Sequence, residues 1–386
     1  MRATHLSLAD FRNYQSAEVA FSPGPNLVVG RNGQGKTNLV EALGYLSTLG
    51  SHRVSNDKAL IRAECDAAII RARVEFNGRE VLAEVQINRA APNRAQVNRS
   101  AIKPRELPRY FSSVLFAPED LSLIRGDPSG RRRFLDQLLV LRNPRVSGIL
   151  ADYERVLKQR NTLLKSARAS RVAAHALTTL DIWDERLVEI GSQIIDERSR
   201  LVGLLAQPLR EAYQSVAGDD HVPELQSSLS VLGQNEGDED AAGSVPEMAA
   251  PDAGSRATTD LFREALTERR PRELERGLTL VGPHRDDVVF RLNSLPAKGY
   301  ASHGETWSFA LALKLASAEL LRRDSTSGDP VLILDDVFAE LDQARRARLA
   351  DAVTGFEQVI ITAAVLEDIP EALTAHIIRI SAGAVE

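Results

Sequence analysis

Two segments with the residue types of nucleotide chemistry lie near opposite ends of this 386-residue chain. Residues 30–37 read GRNGQGKT and fit G-x-x-x-x-G-K-[ST], the pattern of a loop whose backbone N–H groups surround phosphates. Lys36 would reach the β- and γ-phosphates, and the Thr37 hydroxyl would ligate Mg²⁺. Residues 331–342 read VLILDDVFAELD, an apolar strand pattern that ends in two carboxylates. Together the segments predict one site for ATP and Mg²⁺. Because its two parts are separated by almost the whole chain, compact switch GTPases and small kinases are excluded.

The two carboxylates have different predicted roles. Asp335 directly follows the apolar run, so we expect it at the carboxyl edge of a buried parallel strand, where it would share Mg²⁺ with Thr37. Asp336 is the candidate to orient or deprotonate an attacking water, and a helix N-cap or loop carboxylate is the alternative interpretation. Lys36, Asp335 and Asp336 are therefore the predicted catalytic residues.

The glycine-rich segment has the context that a phosphate-binding loop requires. An apolar run at residues 27–29 precedes it and a periodic helix pattern follows it, which disfavours an incidental glycine-rich turn. The predicted nucleotide contacts in this loop are Gly30, Arg31, Asn32, Gly33, Gln34, Gly35, Lys36 and Thr37.

A third segment, Ser302-His303-Gly304-Glu305, precedes an apolar helical pattern. Ser and Gly at a helix N-terminus leave backbone N–H groups and the positive end of the helix dipole available to an anion. Taken alone, the segment is equally well explained as an ordinary helix N-cap.

The elements that must position these motifs belong to the α/β class. Residues 1–110 read mainly as strands with one helix after Lys36, and Asn77-Gly78 between two alternating runs predicts a hairpin. Later strand patterns at 288–292, 331–334 and 359–362 alternate with helical ones, which predicts a parallel sheet. Both ends of the chain must share that sheet, because the loop and the carboxylates must meet.

The middle of the chain has a different composition. Residues 128–226 read as helical and 227–260 as a flexible acidic insertion, for which a solvated loop is the default and an acidic mimic of DNA the alternative. Residues 1–127 and 261–386 would form the ATPase head, lobe I, and 128–226 the helical lobe II. Two apolar stripes in lobe II predict an antiparallel helical hairpin: Tyr153, Val156, Leu157, Arg160 and Leu164, then Leu187, Ile190, Ile194, Leu201 and Leu205.

Composition limits the alternatives. The formal net charge of −5 does not by itself indicate a nucleic-acid-binding protein, although basic surface can be concentrated locally. Cys65 is the single cysteine, so no internal disulfide can form. No apolar stretch reaches the roughly 18 residues of a membrane span, and no secretory signal is visible. We expect a cytoplasmic protein with no membrane partner.

Longer runs give the chain a specific resemblance. LSLADFRNY (6–14), GSHR (50–53), FAPEDLSLIRGDPSGRRRFLD (116–136) and TLVGPHRDDVVF (279–290) accompany the three segments above, in order from end to end. The sequence resembles the RecF family of bacterial recombination mediators, in the SMC-like branch of the ABC ATPases. The resemblance implies a P-loop NTPase head of SMC/ABC type, a mixed sheet with an antiparallel N-terminal part, and an inserted helical hairpin.

The resemblance also implies roles for single residues. Arg12 and Asn13 match a segment that lies near the nucleotide, and Ser302, Gly304 and Glu305 match the signature motif that contacts the γ-phosphate held by a second subunit.

Three further places in the chain can be compared with the pattern of ABC ATPases. Asp336 stands where most ABC ATPases carry glutamate, which implies looser water positioning and slow turnover. In the stretch after the last core strand only Thr362 could sense the γ-phosphate, and residues 340–342 match a dimer-contacting loop.

The function that this resemblance implies is ATP-dependent DNA binding. An ATP-dependent homodimer would bind DNA at gaps and single-strand–double-strand junctions without sequence preference and hydrolyse ATP slowly. With the RecO and RecR mediators it would help to load recombinase at the nucleoid, in DNA replication, DNA-damage repair and the SOS response. Arg131, Arg132 and Arg133 are the predicted DNA contacts, with a solvated face or carboxylate braces as alternatives.

Two other classes of protein are alternative interpretations of the sequence. An SMC-like ATPase that processes DNA ends with a nuclease partner would need long heptad arms, which the sequence lacks. A transporter subunit would dock onto membrane domains. Two observations argue against it: the head is formed by distant parts of the chain, and the chain contains the RRRFLD and GPHRDD runs.

Overall fold

The computed structural model describes residues 1–170, 178–218, 221–233, 257–381 and 383–385. Its strands are β1 (Arg2–Phe11), β2 (Tyr14–Ala20), β3 (Gly24–Val29), β4 (Ala67–Phe76), β5 (Arg79–Asn88), β6 (Arg94–Val97), β7 (Ser100–Ile102), β8 (Ser113–Phe116), β9 (Pro223–Ser228), β10 (Asp287–Leu292), β11 (Leu295–Pro296), β12 (Val331–Asp335), β13 (Gln358–Ala363), β14 (Ile377–Ser381) and β15 (Ala384–Val385). Its helices are α1 (Lys36–Thr48), α2 (Leu121–Arg125), α3 (Pro128–Arg142), α4 (Val146–Ser170), α5 (Thr178–Ala217), α6 (Thr258–Arg276), α7 (Ala297–Tyr300), α8 (His303–Asp324) and α9 (Gln343–Val353).

The central sheet joins the two ends of the chain, as predicted. Its order is β15-β14-β3-β13-β12-β8, and β14, β3, β13, β12 and β8 run parallel. Both faces are covered, because Val331 and Ile333 of β12 enter one core and Leu332 and Leu334 enter the other. A strand buried on both faces needs apolar residues at every position, which explains why β12 reads VLILD without alternation.

An antiparallel sheet covers one face of the central sheet. Its order is β2-β1-β4-β5-β6-β7, and it encloses helix α1 in the first of the two cores. Asn77 and Gly78 both have positive φ and form the predicted turn between β4 and β5. The antiparallel N-terminal part of the predicted fold class is therefore confirmed.

Helices α3, α5 and α8 pack on the other face of the central sheet. Helices α4 and α5 form a helical hairpin with its own apolar cluster, to which α6 contributes Phe262, Ala265 and Leu266. Arg160 is completely buried in this region, where it donates to Asp184, Glu273 and Thr279. The hairpin was predicted, and its second helix, α5, extends beyond the last predicted stripe residue, Leu205, through Pro208 to Ala217.

Two predictions from the sequence need correction. The strand pattern at 288–292 does not join the parallel sheet; β10 pairs antiparallel with β9 and β11 in a separate three-stranded sheet. A strand with alternating apolar residues can bury one face in a parallel or in an antiparallel sheet, so the alternation did not distinguish the two kinds of pairing.

The boundaries of the predicted acidic insertion also differ from the structure. Ser227 and Ser228 are the last residues of β9, Ser230–Leu232 form a short 3₁₀ turn, and Thr258 already begins α6. The rest of that prediction, residues 234–256, lies outside the described residues. Within the parts of the chain that are described, no helix combines the length and the apolar composition needed to cross a membrane.

Candidate nucleotide-binding site

The glycine-rich loop connects β3 to α1 at the carboxyl edge of the central sheet. Gly35 has φ 114°, and a Cβ atom there would lie 2.7 Å from the Tyr14 hydroxyl oxygen, so only glycine fits. Gly30 packs against the backbone of Ile380 in β14, where a side chain would overlap the carbonyl oxygen. No side chain caps the N-terminus of α1, which leaves its first backbone N–H groups available to an anion.

Lys36 is almost completely buried at the start of α1. Its Nζ atom lies 3.5 Å from the carbonyl oxygen of Arg31, across the mouth of the loop. A cation held at this place, beside uncapped N–H groups, is what the phosphates of a nucleotide require. The loop residues predicted from the sequence thus come together in one turn.

The segment at residues 12–14 supports the loop from the adjoining sheet. The Tyr14 hydroxyl donates to the carbonyl oxygen of Gly35 at 3.1 Å, and Asn13 Nδ2 donates to that of Gln34 at 3.3 Å. Asn38 of α1 donates to Asn13 Oδ1 at 2.8 Å. Asn13 is therefore placed beside the loop, as predicted, and its contact with a nucleotide stays a prediction.

Arg12 is held by a buried carboxylate. Its guanidinium donates to both oxygens of Glu41, at 2.8 and 2.7 Å, and to the carbonyl oxygen of Ala59. Burial alone would raise the pKa of Glu41, but hydrogen bonds from Arg12 and Ser51 outweigh it and hold the pKa below its usual value. Arg12 thus fixes α1 and the loop above it, a support that the sequence reasoning missed. The signal was available, because Glu41 lies between the apolar residues Val40 and Ala42 of a buried helix.

Asp335 and Thr37 meet at the carboxyl end of β12. The Thr37 hydroxyl donates to Asp335 Oδ1 at 3.3 Å. Burial, together with the neighbouring charge of Asp336, raises the pKa of Asp335 to about 6, although hydrogen bonds from Thr362 and Thr37 lower it. Asp335 forms no ion pair with another described residue, and its raised pKa means that a bound cation would stabilise the charged carboxylate.

The residues present fit Mg²⁺ bound together with a nucleotide. Among the described residues no group of three His, Cys, Asp or Glu side chains could hold a metal alone. Mg²⁺ usually takes one or two carboxylates and completes its shell with water and substrate phosphates, so one carboxylate and one hydroxyl suffice. Thr37 and Asp335 would hold the ion, and its chemistry there would be to neutralise charge on the phosphates.

Asp336 lies in the turn after β12 with φ 51° and is half-buried. It is not a helix N-cap, because Val337 is the N-cap residue of the 3₁₀ turn Phe338–Glu340 that follows. Its backbone N–H donates to the Thr362 hydroxyl at 2.9 Å, and that hydroxyl donates to Asp335 at 2.6 Å. Thr362 therefore bonds to the carboxylate of Asp335 and to the backbone of Asp336, which its sequence position did not reveal.

The segment at residues 302–305 forms the N-terminus of α8. Ser302 accepts from the Glu305 N–H at 3.3 Å, and the Glu305 carboxylate accepts from the Ser302 N–H at 2.7 Å, which completes a capping box. His221 lies 3.5 Å from the same carboxylate, and a Cβ at Gly304 would lie 3.3 Å from Arg345. The N-cap interpretation is therefore correct locally, and the contact with a second subunit stays a prediction.

The three consecutive arginines of α3 have different environments. Arg131 is buried, and it donates to both carboxylate oxygens of Asp287 and to the carbonyl oxygen of Gly126. Arg131 therefore braces α3 against β10 and is no candidate for a DNA contact. Arg132 is half-buried and donates to the carbonyl oxygen of Asp286, whereas Arg133 is exposed.

Comparison with known proteins agrees with this geometry. A family model described as "RecF/RecN/SMC N terminal domain" matches residues 3–382. The protein named "DNA replication and repair protein RecF" from Leifsonia xyli subsp. xyli is 68% identical over 385 residues, which cover 100% of this chain and 99% of that protein. Its namesake from Streptomyces avermitilis is 50% identical over 392 residues, with 100% of both chains covered.

Solved structures show the same architecture. The structure described as "the recombination mediator protein RecF-ATP in RecFOR pathway" superposes with a TM-score of 0.86 at 28% identity, over 100% of this chain and 96% of that one. An SMC head bound to the C-winged helix domain of ScpA superposes with a TM-score of 0.52 at 15% identity, over 100% of this chain and 96% of that one, which supports the fold alone. The architecture is thus that of an SMC/ABC-type ATPase head, and the chain belongs to the RecF family of DNA replication and repair proteins.

Proposed function

We propose that the chain is an ATP-controlled DNA-binding protein of recombinational repair. The observation that supports this most directly is the meeting of Thr37 and Asp335, 298 residues apart, beside an uncapped glycine-rich loop. A relative with a closely similar structure is described as bound to ATP. The nucleotide and Mg²⁺ would bind here, with Lys36 on the β- and γ-phosphates and Asp336 positioned to orient a water.

The site would be completed by a second copy of the chain. Ser302 and Glu305 bond to each other, and Glu305 also faces His221, so the segment is rigid before any nucleotide arrives. Ser302 and His303 are exposed at the start of α8, and the capping box does not use the backbone N–H groups of His303 and Gly304, which lie at the positive end of the helix dipole. We infer that residues 302–305 of one copy contact the γ-phosphate held by the loop of the other, with residues 340–342 at the dimer contact.

The dimer would bind DNA at gaps and single-strand–double-strand junctions, and slow hydrolysis would release it. Partners related to RecO and RecR are proposed, because the relatives of known structure are described within the RecFOR pathway. Recombinase loading, a role in the SOS response and a location at the nucleoid in the cytoplasm belong to the same proposal. Nothing in the helical hairpin of α4 and α5 favours the alternative of a rod-bearing ATPase with a nuclease partner.

We propose the same division of the chain into two lobes, with one change. Residues 1–127 and the α/β part of 261–386 would form the head, and 128–226 the helical lobe. Helix α6 packs with α4 and α5 in one apolar cluster, so we place it with the helical lobe.

The mass of the protein in solution tests the proposal. Light scattering with and without Mg²⁺–ATP and a gapped duplex should show a monomer that becomes a dimer only with ATP. Ser302→Arg should abolish the dimer and leave nucleotide binding by the monomer unchanged, because the larger cation would obstruct the second copy. Tyr300→Arg is the matched control, since Tyr300 is 70% exposed two residues earlier. Dimers of Ser302→Arg that form normally with ATP would contradict the shared site.

A further inference from the structure

A groove of about 550 Å³ separates the C-terminal end of α1 from the helical lobe. Thr48 and Leu49 at the end of α1 form one side, and α4 contributes Leu150 and Leu157 to the other. Its volume lies in the range of ligand sites, and its walls combine apolar side chains with charged ones. The nucleotide site described above begins at the opposite end of α1, so the groove is a separate surface.

Four arginines line this groove: Arg105, Arg132, Arg133 and Arg198. Arg198 already has a carboxylate partner, because it donates to both oxygens of Asp136 at 2.8 Å and to the carbonyl oxygen of Pro283. The other three come from two elements, the 3₁₀ turn Pro104–Arg109 and helix α3.

Arg105, Arg132 and Arg133 form no ion pair with a carboxylate in the described part of the chain. Many other arginines of this protein do form such a pair, including Arg12, Arg131 and Arg160. Glu154 is the one lining carboxylate besides Asp136, and it is exposed on α4. The groove therefore carries an excess of positive charge.

The cations also crowd one another at the inner end of the groove. Burial lowers the pKa of Arg132 and repulsion from Arg198 adds to the effect, although the carboxylates of Asp287 and Asp286 oppose it. Burial and the cations Arg285 and Arg132 lower the pKa of His284 to about 3, although a bond to the backbone of Thr279 opposes them. A bound anion would relieve this repulsion, so the groove is suited to an anion and not to a cation.

We propose that this groove binds phosphates of the DNA backbone through Arg105, Arg132 and Arg133. The guanidinium group presents a planar fork of N–H donors that matches phosphate oxygens, and the contact needs no base sequence. The inference deepens the proposed function, on which it rests, by assigning a surface to DNA. It also assigns different roles to the three consecutive arginines of α3, because Arg132 and Arg133 would contact DNA whereas Arg131 is buried and holds α3 against β10.

The experiment compares variants that keep the fold. Arg105→Gln combined with Arg133→Gln removes two exposed cations without touching Arg131 or the bond from Arg132 to Asp286. The control combines Arg79→Gln with Arg272→Gln, two exposed arginines that lie outside the groove. Thermal unfolding and ATP binding should match the wild type in both double variants.

DNA affinity is measured on a gapped duplex over a range of salt concentrations. The groove variant should bind roughly tenfold more weakly, and the slope of log K against log salt should fall by roughly 1 for each arginine removed. The control should keep the wild-type slope. If the groove variant kept wild-type affinity and slope, the assignment of DNA binding to the groove would be wrong, while the proposed function would remain intact.

Two further results would overturn the inference in different ways. If the wild-type protein binds no DNA with ATP present, the proposed function fails and the groove assignment fails with it. If the wild type binds pyrophosphate at matched ionic strength, and the groove variant loses that binding but keeps its DNA affinity, then the groove takes a small anion and not DNA.

Discussion

The Thr362 hydroxyl donates a 2.6 Å hydrogen bond to the Asp335 carboxylate, and both groups are buried at the carboxyl edge of the central sheet. The same hydroxyl accepts the backbone N–H of Asp336 at 2.9 Å. One threonine thus fixes the carboxylate proposed to hold Mg²⁺ and the backbone of the carboxylate proposed to orient water. This relationship gives Thr362 a structural role at the site, beside the phosphate-sensing role implied by resemblance.

Thr362→Val should impair the site, because it removes both bonds while keeping the shape of the side chain. The loss of two buried hydrogen bonds should lower the free energy of unfolding by about 1–3 kcal/mol. Affinity for Mg²⁺–ATP should fall as well, measured by titration at saturating Mg²⁺. Thr362→Ser keeps the hydroxyl and is the matched control. If Thr362→Val binds and hydrolyses ATP normally, the threonine is dispensable to the site.

Asp336→Asn should separate ATP binding from ATP hydrolysis. Asparagine tolerates the left-handed conformation found here at φ 51°, so the turn should be preserved. Removal of a general base typically costs about 10²–10⁴-fold in rate, so single-turnover hydrolysis should fall by that factor while ATP-dependent dimers persist. Asp351→Asn, an exposed carboxylate on α9, should change neither measurement. Undiminished hydrolysis in Asp336→Asn would remove this carboxylate from the chemistry.

Arg12→Ala should make stability depend on pH in the opposite sense to the wild type. In the wild type the pKa of Glu41 is lowered, so its contribution is complete above the ordinary pKa of 4.5 and is lost as the pH falls through the lower folded value. Without Arg12, burial should raise the pKa of Glu41, so stability should decrease as the pH rises through 4.5. Breaking a buried ion pair typically lowers the free energy of unfolding by about 3–5 kcal/mol. Near neutral pH we expect a somewhat smaller loss of about 2–4 kcal/mol, because Arg53 still lies 3.7 Å from Glu41.

Urea unfolding of Arg12→Ala between pH 4 and 7 measures this effect. The double variant Arg12→Ala with Glu41→Gln is the control, since it has no buried carboxylate to titrate and its stability should not fall over this range. A constant difference between Arg12→Ala and the wild type at all pH values would contradict the pairing of Arg12 with Glu41.

Arg160→Met should be among the most destabilising changes in the helical lobe. Arg160 is completely buried and donates to Asp184 and Glu273, so methionine leaves Glu273 buried without its cation. Breaking a buried pair typically costs about 3–5 kcal/mol. Arg155→Met on the same helix removes an exposed pair with Asp152 and should cost less than about 1 kcal/mol. Chemical unfolding of the two variants should rank them in that order, and equal stability would show that the cluster contributes little.

The features that could be predicted from the sequence are those encoded locally. The glycine pattern before α1, the apolar run of β12 and the Asn77-Gly78 turn each specify their own geometry within a few residues. These local patterns also predicted that both ends of the chain share one sheet. Thr37 and Asp335 can belong to one site only if β3 and β12 lie in the same sheet.

The features that could not be predicted depend on residues far apart in the chain. Arg131 and Arg133 are the same amino acid two positions apart, and only the partner Asp287, 156 residues away, distinguishes the brace from the exposed side chain. The antiparallel pairing of β10 with β9 likewise depends on a strand 59 or more residues earlier, counted from Asp287 back to Ser228. Periodicity alone does not choose between such partners.

The place of β3 in the central sheet has a consequence for synthesis on the ribosome. Its two neighbours, β13 and β14, are formed by residues 358–381, although the phosphate-binding loop that follows β3 is translated within the first 37 residues. A nascent chain of 300 residues therefore contains the complete loop and neither neighbouring strand of β3, nor Asp335. Domains fold as units during translation, so this head can acquire affinity for nucleotide only when translation is almost finished. Incomplete chains would thereby be kept out of the proposed ATP-dependent dimer.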